Sequence, residues 1–121
     1  MITAKYFKES EFKACKPACS LQDMKQSTMD RLDRARGLAG IPFVLNSAYR
    51  SRQWELSKGR TGNGAHTTGE AVDIRCNTSW NRMKIVDACL KAGFRRMGIG
   101  DTFVHVDDSP NLTQDVIWIY N

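Results

Sequence analysis

The chain has 121 residues, a formal net charge of +5 at pH 7, 41% hydrophobic residues and 26% charged ones. That length suits one domain with its own apolar core, residues 1–121, and no apolar run approaches the roughly 20 residues of a membrane-spanning helix. The positive surplus favours an anionic partner, but the 18 Lys and Arg are scattered and not gathered in a stripe among aromatics, so nucleic acid is not an expected partner.

Along the chain, residues 1–13 alternate charged and apolar side chains and lack the apolar centre of a secretory signal. Cys15 and Cys19 have the look of half a zinc knuckle, yet Cys76 and Cys89, thirteen residues apart, complete no common ligand spacing. Small buried residues or a local staple are the expected roles of all four. Ser20, with Asp23 three residues on, signals the start of a helix over 21–39 with Leu21, Met24, Leu32, Ala35 and Leu38 as its apolar positions, and Gly40 and Pro42 stop it. Residues 43–47 read as a short buried strand and 51–57 as a helical turn or two, followed by a mobile glycine-rich loop over 59–64. A strand is expected over 71–75, then a helix capped by Ser79 and ending at Gly93. The remaining runs, 97–99, 103–106 and 116–120, are β-type segments separated by Gly100-Asp101 and by Asp108-Ser109-Pro110-Asn111. Helices first and strands clustered later predict an α+β domain with helices packed on a small antiparallel sheet.

The two histidines of the chain each stand near a carboxylate: His66 lies seven residues before Asp73, and His105 two before Asp107. Imidazole nitrogen and carboxylate oxygen are good zinc ligands, and a catalytic zinc uses three protein ligands, which His66, Asp73 and His105 supply. Strand alternation puts Asp107 on the face of His105, where it can orient a ligand or handle a proton; Asp101, in a turn, is the other acid nearby. Glu70 alternates to the face opposite Asp73 and is set aside. Trp54, Trp80 and Trp118 are read as core residues rather than as part of a site.

The wording of these segments resembles the M15 family of zinc peptidases, the D-alanyl-D-alanine carboxypeptidase and L-alanyl-D-glutamate endopeptidase group. The resemblance runs from Ser47-Ala48-Tyr49-Arg50, similar to the family's Ser-x-Tyr-Arg signature, through His66-x-x-Gly69-x-Ala71-x-Asp73, to Gly98-Ile99-Gly100 and Phe103-Val104-His105-Val106-Asp107. Four motifs in order are more specific than any one.

The resemblance implies a hedgehog/DD-peptidase-like fold carrying zinc on His66, Asp73 and His105, and a monomer that hydrolyses stem peptides of bacterial peptidoglycan. It implies that Arg50 holds a substrate carboxylate or a developing oxyanion, a task suited to an always-charged planar guanidinium, with Ser47 and Tyr49 bordering the substrate. Asp107 is preferred over Asp101 as the proton carrier. With no signal segment in view, a phage-type lysis enzyme or a truncated secreted protein acting on the cell wall is expected. One departure stands out: Gly64 occupies the place of a family serine two residues before the first histidine. Zinc binding is expected to survive that change while turnover suffers, and the alternative is a weak or inactive metal-containing peptidoglycan-binding module.

Overall fold

Five strands form one sheet in the order β1-β2-β4-β3-β5: β1 Leu45–Ser47, β2 Ala71–Arg75, β3 Arg96–Ile99, β4 Phe103–Asp107 and β5 Val116–Ile119. The computed structural model describes residues 1–120. Four helices accompany the sheet, α1 Glu9–Lys13, α2 Gln26–Ala39, α3 Arg52–Ser57 and α4 Ser79–Lys91, with 3-10 turns at Leu21–Asp23 and Ala65–Thr68. This is the expected α+β class, four helices on a mostly antiparallel sheet.

The sheet separates its two faces by simple alternation. Val72 and Ile74 of β2, Val104 and Val106 of β4 and Met97 of β3 are all fully buried in one cluster with Met29, Leu32 and Ala35 of α2 and with Ile85 and Cys89 of α4. Each of the Val, Ile, Leu and Met side chains contributes about 1.5–3 kcal/mol on burial, which helps hold α2 and α4 to that face. The intervening residues, Asp73 and Arg75, then Phe103, His105 and Asp107, face the other way. Register aligns them: Asp73 stands opposite His105, and His105 opposite Gly98, which in turn pairs with Trp118.

Three expectations need correction. The helix predicted over 21–39 is two pieces, because Met24 and Lys25 are extended and the Lys25 N–H leaves the helical pattern to donate to the Gly69 carbonyl at 2.9 Å. Ser20 therefore caps only the 3-10 turn, accepting from the Gln22 N–H. Thr78, not Ser79, caps α4 by accepting from the Asn81 N–H at 3.0 Å. The sheet is not wholly antiparallel either, since β5 runs parallel to β3. The β3–β4 hairpin ends where β3 begins, so the segment after Asp107 crosses that end and runs along the free edge of β3 in the same direction. No helix is long and apolar enough to cross a membrane.

Candidate metal centre and its cleft

One arm of the site is built from loops. Beyond β1 the chain runs without regular structure to Ser51, whose hydroxyl accepts from the Trp54 N–H at 3.0 Å and starts α3. The Ala65–Thr68 turn docks on this stretch: the Arg50 N–H donates to the His66 carbonyl at 3.1 Å, and His66 Nδ1 donates to the Ala48 carbonyl at 2.6 Å. Gly69 closes the turn at φ 75°, and a Cβ there would collide with the Asp23 carbonyl oxygen, so the glycine of the His66-x-x-Gly69 spacing is dictated by both dihedral and space. His66 is thus fixed from behind, with Nε2 left as an acceptor.

The other arm is built from strands. Asp73 and His105 are cross-strand neighbours on the polar face of the sheet. His105 Nε2 donates to Asp107 Oδ2 at 2.7 Å, while Asp107 Oδ1 accepts from Arg96 Nε at 2.8 Å. That pairing leaves His105 Nδ1 as the free acceptor and turns it toward Asp73 and His66.

The three remaining atoms converge. His105 Nδ1 lies 3.0 Å from Asp73 Oδ1 and 3.2 Å from His66 Nε2, and His66 Nε2 lies 3.3 Å from Asp73 Oδ1. Ligand atoms about 2.0–2.1 Å from a tetrahedral zinc sit ~3.3 Å from one another, so the spacing fits such an ion. The chemistry of the set points the same way, because three acceptors turned on one point repel unless a cation lies between them. Burial raises the Asp73 carboxyl, but His105 and His66 outweigh it and hold it far below the usual carboxylate range. Burial pushes the His105 imidazole down, and the Asp107 and Asp73 carboxylates overcome it, leaving the ring above its ordinary value. Among the described residues, His66, Asp73 and His105 are the group of His, Cys, Asp or Glu able to hold a metal. The four cysteines are buried free thiols, as the small-residue reading expects, and burial pushes Cys89 up to about 12.

Arg50 is clamped beside the triad. Its Nε donates to Ser47 Oγ at 2.8 Å, one terminal nitrogen to Asp73 Oδ2 at 2.8 Å, and the other to Glu55 Oε1 at 3.3 Å. A guanidinium has five N–H groups, so two remain for a ligand. Glu55 is 5% exposed and also pairs with Arg60 at 3.0 Å, which ties the 59–64 loop to the cleft. Together these side chains border a cavity of about 450 Å³ that reaches from Arg50 and Glu55 across the triad to Leu112, Trp118 and Tyr120.

Several residues lie elsewhere than the sequence suggested. Trp118 belongs to the cleft and not to the core, its ring 5.4 Å from that of His105 and beneath the Arg96 guanidinium; Gly98 has no side chain to block it there. Trp54 is half-buried against Arg50, and Trp80 is 62% exposed. Tyr49 packs on the hydrophobic core and does not line the cleft. Asp101 is exposed outside the cleft, and Glu70, just before β2, accepts from the Thr68 hydroxyl and does not line the cleft. Glu55, Arg96 and Trp118 are the participants that sequence reasoning missed. Strand alternation back from Gly98 could have placed Arg96 on the polar face, whereas nothing local marks Glu55 or Trp118.

Comparison with known proteins bears on this geometry. No curated protein matches the chain. Residues 5–107 match the family described as Peptidase M15, a span that contains Arg50, the convergent triad and Asp107 but ends before β5. The chain therefore belongs to the peptidase M15 family.

Proposed function

We propose that this peptidase is zinc-dependent and hydrolyses bonds in the stem peptides of bacterial peptidoglycan. The observation that carries the reading is the meeting of three acceptor atoms within 3.0–3.3 Å, with each imidazole held by a partner behind it. A zinc ion bound there would acidify water and polarise a scissile carbonyl. The two free N–H groups of Arg50 bind the substrate carboxylate or the developing oxyanion, and Ser47, Glu55 and Asp73 keep that guanidinium in place. Asp107 is a positioning residue: with both oxygens engaged by His105 and Arg96 and 1% exposure, it orients the ring and is not free to collect a proton. The exopeptidase and endopeptidase forms of the activity are both compatible with an open cleft.

The test is release of new amino groups from purified peptidoglycan by the protein as isolated, after chelation, and after zinc is restored. Release that vanishes and returns with zinc is expected. Silence throughout, with one zinc bound per chain, would replace the reading by a metal-containing peptidoglycan-binding module.

A further inference from the structure

The charges around the cleft are unevenly matched. Within the main cavity three guanidinium groups, Arg50, Arg60 and Arg96, are set against three carboxylates, Glu55, Asp73 and Asp107, each in a named ion pair. Beyond Asp73 the cavity continues into a second hollow of about 450 Å³ along the β1 edge, and the two share Arg50, Asp73 and Phe103. Lys16 and Arg75 border this second hollow, and among the described residues neither has a carboxylate partner. Its one acidic side chain is Asp73, already held by Arg50 and the two imidazoles.

The placement follows from the fold. Arg75 is two residues beyond Asp73 on β2 and so shares its face. Lys16 is brought alongside because its own N–H donates to the Asn46 carbonyl at 3.0 Å, while Cys15 and Cys19 on either side are buried. Asn46 and Ser47 supply further polar atoms at the floor.

We infer that Lys16 and Arg75 form an anion subsite that takes a second carboxylate of the peptide substrate, separate from the group facing Arg50. The substrate is then an acidic peptide lying across the triad, its free carboxylate on the β1 side. This rests on the peptidase reading above. Being exposed, the attraction is modest and falls with ionic strength.

The experiment compares a stem pentapeptide, which contains both an L-alanyl-D-glutamate and a D-alanyl-D-alanine bond and carries a free glutamyl α-carboxylate, with the same peptide bearing a carboxamide there. Binding to the zinc-free protein is followed by calorimetry, and hydrolysis by the zinc-loaded protein is followed in parallel. The acid form is expected to bind about fivefold more tightly and to show a correspondingly lower KM at similar kcat. In the double variant Lys16→Gln, Arg75→Gln that preference disappears, and in Lys16→Glu, Arg75→Glu it inverts toward the amide. Hydrolysis with equal KM for the two peptides, or a preference unchanged in both variants, overturns the subsite and leaves the peptidase intact. Acid-selective binding that the variants abolish, without hydrolysis of either peptide, sustains the subsite and removes the peptidase. Neither binding nor hydrolysis removes both.

Discussion

The two histidines of the candidate metal centre are held by different means. His66 leans on a backbone carbonyl, that of Ala48, and its loop is locked by the Arg50 N–H and by the left-handed turn at Gly69. His105 leans on a side chain, the carboxylate of Asp107, which Arg96 holds in turn. A carbonyl cannot be removed by substitution, so the loop arm fails only when its backbone is displaced. The strand arm can be broken one side chain at a time with the backbone left in place. The pair shows that two convergent imidazoles can draw orientation from chain geometry on one side and from buried charge on the other.

The strongest way to break the comparison is to remove a ligand from each arm. His66→Ala and His105→Ala are both expected to abolish stoichiometric zinc binding, measured by metal content after dialysis, and to remove hydrolysis. Next comes Asp107→Asn, which separates the arms. An amide N–H facing His105 Nε2 forces the ring proton onto Nδ1, into the metal point, so zinc affinity should fall about 10–100-fold with little loss of folding. A competition titration against a chelator measures it, and unchanged affinity would show that the Asp107 contact does not set the tautomer. The loop arm's counterpart is Gly69→Ala, expected to cost about 1–3 kcal/mol of stability from its positive φ and the collision with the Asp23 carbonyl. Its denaturant midpoint should drop, and zinc affinity should drop with it, because His66 rides on that turn.

Protonation sharpens the same contrast on the strand arm. With its folded value above the ordinary 6.5, His105 in the metal-free protein contributes stability that is present below that pH and lost as pH rises through the folded value. Zinc affinity should run the opposite way, rising as Nδ1 gives up its proton. Thermal unfolding with and without zinc across pH 5–9 separates the two slopes. The smallest effect expected is that of Gly64→Ser. Gly64 occupies the cap position of the 65–68 turn without a side-chain hydrogen bond, and a Cβ there meets open space, so a serine should add a few tenths of a kcal/mol. A larger change in kcat than in stability would mark the hydroxyl as part of the substrate site.

Much of the architecture was legible because it depends on local chemistry. Alternation over 71–75 and 103–107 names the residues that share a face, and the helical turn expected over 51–57 forms as α3. The helix over 21–39 was misread because its break comes from outside: Lys25 is drawn to Gly69, 44 residues away in the chain, and no pattern within the segment reveals that.

His66, Asp73 and His105 could likewise be picked out as candidate ligands, since two imidazoles and a carboxylate are chemically suited to one ion and the order of the motifs around them resembles a known family. What the sequence by itself determined was therefore the alternating faces and the donor types, properties of a residue and its near neighbours. Tertiary structure decided which acids are engaged and which ring nitrogen is free. It also decided that Glu55, Arg96 and Trp118 join the cleft, because these outcomes depend on strand register and on the crossing of the chain from Asp107 to the free edge of β3. Contacts of that kind link residues distant in the chain, and only the packed fold sets their distances.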